Sequence, residues 1–198
     1  MLLASGFFYG RNFLVISIDK MNESKFEIRE VRPEDFSEIK SLYQSVAKTT
    51  GGIARIEEEI TDAYIKRNLE NSLAKGISLV VEDVVANLLV GEIHCYKLEP
   101  KVFNHVLSEL TIVVNPNYQG NGVGKMLFKE LIARIENERS NILRVELITR
   151  ESNKKAIKFY ESIGFVIEGR FGKRIKNADG SFEADIPMAW MNKNYKAL

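Results

Sequence analysis

The stretch Val113-Val114-Asn115-Pro116-Asn117-Tyr118-Gln119-Gly120-Asn121-Gly122-Val123-Gly124-Lys125 has the residue types needed to hold a diphosphate. Pro116 ends a strand, because it cannot donate to a ladder. Glycines at alternate positions let the backbone turn tightly and bring its N–H groups close to a ligand. A helix opens within the turn, so its unpaired N–H groups and the positive end of its dipole face whatever lies there. Lys125 adds charge. A Walker loop would need Ser or Thr after the lysine, where Met126 stands, and a different glycine spacing. A Rossmann fingerprint starting at Gly120 would need Gly or Ala in place of Lys125, and no early βαβ unit surrounds it. ATP and NAD are therefore disfavoured. The plain alternative is a glycine-rich turn that only starts a helix. Arg55, after Thr49-Thr50-Gly51-Gly52, could hold a carboxylate in bidentate fashion; a flexible turn with a solvated arginine fits equally well. No spacing of His, Cys, Asp or Glu suggests a metal site.

These residues need a scaffold, and the totals allow one domain. The chain has 198 residues, 45% of them apolar and 28% charged, as in an ordinary globular protein. A net charge of +1 offers no strong field for nucleic acid, a membrane surface or a polyanion. The single cysteine, Cys95, excludes an internal disulfide framework and suits a reducing cytoplasm. Residues 2–18 are apolar but interrupted by Arg11, Asn12 and two glycines, too broken for a transmembrane helix and poor as a signal peptide. Residues 1–20 read as an extension of uncertain role, with Met21 a natural start, and residues 21–198 as the domain.

The elements follow from periodicity. Residues 26–31 alternate as a half-buried strand. Pro33-Glu34-Asp35 opens a helix carrying Ile39, Leu42, Tyr43 and Val46 on one face. Residues 56–73 read as a second helix, ended by Gly76. Residues 77–82 and 88–96 read as a strand hairpin, and 107–114 as a third strand stopped at Asn115-Pro116. Residues 122–137 carry the apolar stripe Leu127, Phe128, Leu131, Ile132 and Ile135 of an amphipathic helix. A strand over 145–149, a helix over 153–162 and a closing hairpin of 165–175 and 181–191 complete one mixed α/β domain.

Gln119-Gly120-Asn121-Gly122-Val123-Gly124 resembles the Gln/Arg-x-x-Gly-x-Gly/Ala signature of the GNAT (Gcn5-related N-acetyltransferase) superfamily. Asn153-Lys154-Lys155-Ala156-Ile157-Lys158-Phe159-Tyr160-Glu161-Ser162-Ile163-Gly164-Phe165 resembles its second signature, Asn-x-x-Ala-x-x-x-Tyr-x-x-x-Gly-Phe. Each is moderately specific; together, in this order, they are strong. The resemblance covers residues 26–191. It implies a central, mostly antiparallel sheet with one parallel, splayed strand pair, flanked by about four helices. It also implies an N-acetyltransferase that moves an acetyl group from acetyl-CoA, with no metal, to a primary amine by direct attack on the thioester.

By that resemblance, backbone groups of Ile112, Val113 and Val114 line the pantetheine arm, and a strand N–H there polarises the thioester carbonyl. Gln119, Gly120, Asn121, Gly122, Val123, Gly124 and Lys125 cradle the diphosphate, and Asn153 caps its helix and contacts the cofactor. The attacking amine, of pKa roughly 8 to 10.4, must lose a proton, and the leaving thiolate must gain one from a phenol of pKa about 10. Tyr160 matches the family's acid, although it also reads as a core tyrosine. Glu109 stands where many relatives keep a base, but its offset from Gln119 is one residue short of the common pattern, which turns a side chain to the other face unless a bulge restores it. An ordered water chain is the other choice. His94, mid-strand beside Cys95, reads as structural, and His105 falls in the loop expected near the substrate mouth.

The acceptor expected is a small molecule such as an amino acid or polyamine, with Arg55 on its carboxylate. Alternatives are a protein N-terminus or lysine, and a non-catalytic CoA-binding or sensory module. A cytoplasmic protein acting without nucleic acid or membrane, pairing into homodimers through sheet edges, completes the expectation.

Overall fold

The computed structural model describes residues 25–49, 53–177 and 179–197. The expectations for residues 1–20, for Met21 and for Gly51-Gly52 of the first helix connection lie outside the described residues.

Strand β1 (Phe26–Glu30) leads through a single 3-10 turn at Pro33–Asp35 into helix α1 (Phe36–Ala47). Asp35 fixes that entry: its carboxylate accepts the Arg32 N–H at 2.8 Å and two bonds from the Arg29 guanidinium at 2.7 and 2.9 Å. Helix α2 (Asp62–Lys75) begins later than the apolar pattern suggests. Glu57–Glu59 make only one 3-10 turn, Ile60 turns its side chain into the core, and Thr61 stops any continuous helix by accepting the Tyr64 N–H at 3.2 Å as the N-cap.

Strands β2 (Gly76–Asp83), β3 (Leu88–Tyr96) and β4 (Val106–Val114) form an antiparallel meander, and helix α3 (Val123–Glu138) crosses to β5 (Arg144–Arg150). Helix α4 (Lys154–Ser162) then leads to β6 (Val166–Ile167), β7 (Phe171–Lys176) and β8 (Phe182–Met191). The sheet order is β1-β2-β3-β4-β5-β8-β6, with β7 also on β8, and the β4–β5 pair is parallel. The first arm of the closing hairpin is two strands instead of one. Glu168 still donates its N–H to the Pro187 carbonyl at 3.0 Å, and the side chains of Glu168 and Arg170 make ion pairs with Arg144 and Glu151 respectively where the strand breaks.

Helices cover both faces. The stripe of α3 (Leu127, Phe128, Leu131 and Ile135), with Ile157 and Tyr160 of α4, packs on one face against Leu79, Ile93, Val145 and Met188. On the other, Ile39, Leu42, Tyr43 and Val46 of α1 and Ile65 and Leu69 of α2 pack on Val80, Leu89 and Val113. Among the described residues no helix is long and apolar enough to cross a membrane.

Candidate active site

The site begins where two strands part. β4 and β5 pair only at Val106–Arg144 and Leu107–Val145, and beyond them each runs on without the other. A bulge goes with the split: His94 faces Thr111 and Tyr96 faces Ser108, so Glu109 and Leu110 share one partner on β3. Glu109 takes up the extra residue in a left-handed conformation, φ +54°. The backbone of the far half of β4, including Ile112, Val113 and Val114, is left without a ladder on its β5 side. The Glu109 side chain is exposed and lines the opening.

At the far end of β4, Pro116–Tyr118 form a 3-10 turn, and Gly120 and Gly122 both stand at φ +83°. Both positions lie in the left-handed region, where a side chain is strained. Gly122 is the N-cap of α3 and offers no side chain, and Met126 N–H makes its first helical bond to the Gly122 carbonyl at 3.0 Å. The N–H groups of Val123, Gly124 and Lys125 therefore have no helical acceptor. Lys125, Gln119, Gly120, Asn121 and Gly122 are exposed, whereas the Val123 side chain is buried in the core.

A cleft of about 250 Å³ enters the split, lined by Glu109, Thr111, Ile112, Thr149, Asn153 and Tyr160 with Arg55 and residues of α2. A second cleft, on the other side of Glu109–Thr111, is about 640 Å³ and reaches Arg144, Glu168 and Phe171. Asn153 caps α4, its Oδ1 accepting the Ala156 N–H at 3.1 Å. Tyr160 packs among Phe128, Phe159 and Phe165, with ring centroids 5.5, 5.7 and 6.0 Å away. Among the described residues its hydroxyl has no hydrogen-bond partner, and burial pushes its pKa up to about 12. It is buried as a core tyrosine would be and also lines the cleft.

The description "Acetyltransferase (GNAT) family" matches residues 38–165. The chain belongs to the GNAT acetyltransferase family. Within it, 63 residues are 41% identical to the [Ribosomal protein bS18]-alanine N-acetyltransferase of Salmonella typhimurium, covering 30% of this chain and 41% of that relative, so the match spans less than half of the relative's length. The GNAT fold is shared with yncA from Salmonella typhimurium, solved with its cofactor acetyl-CoA, at a TM-score of 0.74 and 18% identity over 87% of this chain and 97% of that one. The Escherichia coli ribosomal-protein-S18-alanine N-acetyltransferase superposes at 0.68 with 21% identity, covering 87% and 96%.

Several lining residues of this GNAT chain escape a reading by motif. Tyr64, Arg67 and Asn68 reach the cleft from α2, where their i, i+3, i+4 spacing puts them on one helical face; that spacing was the available signal. His94 is buried as a structural histidine would be, its Nδ1 3.1 Å from Glu92, and its ring also reaches the cleft wall. Glu92 is fully buried and accepts from Tyr43 at 2.7 Å and Ser78 at 3.0 Å. His105 is not brought to either cleft; its carbonyl accepts the Leu143 and Arg144 N–H groups at 2.9 and 3.2 Å, closing the paired end of β4 and β5.

Proposed function

We propose that this chain transfers the acetyl group of acetyl-CoA to the primary amine of a small molecule by direct attack, with Glu109 and Tyr160 as its proton-handling groups. The observation that carries the reading is the parting of β4 from β5 immediately after Leu107, which opens a cleft lined by both residues. The residues fit the cofactor: the turn offers free N–H groups at Gly122–Lys125, a Cβ on Gly120 or Gly122 would meet no atom within 4 Å, and the β4 edge is unpaired. Acetyl-CoA, when bound, supplies an activated acyl thioester.

The residues divide the remaining work. Backbone N–H groups of Gly122, Val123, Gly124 and Lys125 neutralise the diphosphate at the α3 N-terminus, while the Asn121 N–H is held by the Tyr118 carbonyl at 3.4 Å. The open edge at Ile112, Val113 and Val114 holds the arm by ladder-like bonds and directs an N–H at the thioester carbonyl. Glu109 accepts the amine proton, directly or through a water. Tyr160 stays protonated up to about pH 12 and so donates a hydrogen bond to the sulfur as it gains charge. A thiol has a pKa near 8.5, so complete transfer from so weak an acid is uphill, and the hydrogen bond is the larger contribution. A cytoplasmic setting goes with this reading, since the single cysteine is buried and has no internal partner.

A protein N-terminal alanine is the second reading, favoured by the 41% identity over 63 residues to an alanine N-acetyltransferase. The test is calorimetry with acetyl-CoA followed by thiol release against amino acids, polyamines and alanine-headed peptides. Wild type should bind acetyl-CoA, and Glu109→Gln should bind it equally while losing about 10²-fold or more in turnover. A folded protein with no affinity for acetyl-CoA would sink the proposal. Binding without turnover of any amine would leave the non-catalytic CoA-binding module.

A further inference from the structure

The acceptor side of the cleft carries charges that acetyl transfer to a simple amine does not use. Arg55 and Arg67 both line it, and their guanidinium carbons lie 4.1 and 5.7 Å from the centroid of the Tyr64 ring between them in sequence. Among the described residues neither makes an ion pair or a hydrogen bond to a side chain. By contrast Arg29, Arg134, Arg144, Arg150 and Arg170 each have a carboxylate partner. Arg150 also lines this cleft, but Glu183 already neutralises it. Beside Arg67 on the same helical face, Asn68 is only 5% exposed, and its Nδ2 is buried with no partner.

An acceptor amine arrives as a cation, so two unpaired guanidiniums in its pocket repel it unless it carries compensating charge. A buried amide donor without a partner points to a missing acceptor atom. Glu109 supplies the opposite sign across the same cleft. The Tyr96 phenol feels both: burial first and then the Glu109 carboxylate push its pKa up, while Arg67 and Arg55 pull it down.

We propose that the acceptor is an amine bearing a carboxylate, as in a free amino acid, with the carboxylate held by Arg55, Arg67 and the Asn68 amide and the amine turned toward Glu109. This rests on the acetyl-transfer reading and narrows it, because it excludes polyamines. Planar guanidiniums stacked on a tyrosine ring lose little freedom on forming paired bonds to a carboxylate. An acidic side chain at the head of a peptide presents the same chemistry, and the test separates it from a free amino acid.

The probes are products, which bind without turnover: N-acetyl-L-alanine against N-ethylacetamide, and N-acetyl-Ala-Glu-amide against N-acetyl-Ala-Gln-amide. Each is titrated calorimetrically into the full chain with and without CoA. The first pair should differ by about tenfold in Kd, ~1.4 kcal/mol, and Arg55→Gln with Arg67→Gln should erase that difference while CoA affinity and melting temperature hold. Arg55→Lys should keep part of it. A difference only in the peptide pair also supports the subsite and moves the carboxylate to a peptide side chain. Equal affinities within both pairs, or a difference that survives in the folded double variant, would overturn the proposal. Absence of CoA binding would count against acetyl transfer alone, since the titrations without CoA still decide the subsite. In turnover, L-alanine should exceed ethylamine and spermidine by about tenfold in kcat/KM on the same arithmetic.

Discussion

Tyr160→Phe removes one oxygen and leaves a ring that three aromatic neighbours hold in place. The hydroxyl has no protein partner among the described residues, so its loss breaks no intramolecular bond. Stability at neutral pH should then change by less than about 1 kcal/mol. In alkali the two proteins separate. The Tyr160 pKa is about 12 when folded, against roughly 10 in an unfolded chain. The folded pKa is the higher one, so the contribution is complete below pH 10 and is lost as pH rises through 12. Linkage gives a loss of about 1.4 kcal/mol in wild type by about pH 11, which the phenylalanine variant escapes. Cys95, which burial also pushes up to about 12, titrates in both proteins and cancels in the comparison. Turnover should fall by about 10² to 10³, as for loss of one donor to a developing anion, with acetyl-CoA affinity kept. The assays are urea unfolding at three pH values, thiol release, and calorimetry with acetyl-CoA. A variant that turns over normally, or one destabilised by several kcal/mol at neutral pH, would show that the hydroxyl is a structural group and refute the reasoning.

Two further substitutions test the turn and the entry to α1. Gly122→Ala should cost about 1–2 kcal/mol, because φ +83° strains any Cβ even though open space surrounds it. Gly124→Ala lies inside α3 in ordinary contact with Ile112 and Val114 at 3.7 and 3.8 Å, and should be neutral or gain up to about 1 kcal/mol; denaturant unfolding of the pair reads the contrast. Asp35→Asn breaks a partly buried, charge-assisted pair from one side, and should cost about 1.5–3 kcal/mol in the same experiment. Burial alone would raise the Asp35 pKa, but the Arg29 and Arg32 hydrogen bonds outweigh it and hold the carboxyl below its usual range. Its contribution is therefore present above about pH 4 and lost as pH falls through the lower folded value, so the variant should show a flatter acid limb.

What the sequence determined by itself was local. Alternation over β1, the stripe of α3, the αL-demanding glycines after Pro116 and the two signature runs all encode short-range preferences that neighbouring residues satisfy, so element order and the glycine turn ahead of α3 were legible. Where the chain had a local competitor, the period misled: the Thr61 cap cut short a helix that the apolar pattern carried back to residue 56. The splayed pair was implied by the family resemblance, but the point where β4 leaves β5, just after Leu107, was decided by the tertiary structure, because strand pairing is non-local and a single inserted residue redirects every side chain beyond it. The bulge at Glu109–Leu110 has no mark in the linear spacing, and with it formed Glu109 and Tyr160 line the same cleft. The convergence of Arg55, Arg67 and Asn68 has the same origin. The loop that carries Arg55 and the α2 helix that carries Arg67 and Asn68 meet at one cavity through packing that no linear spacing records.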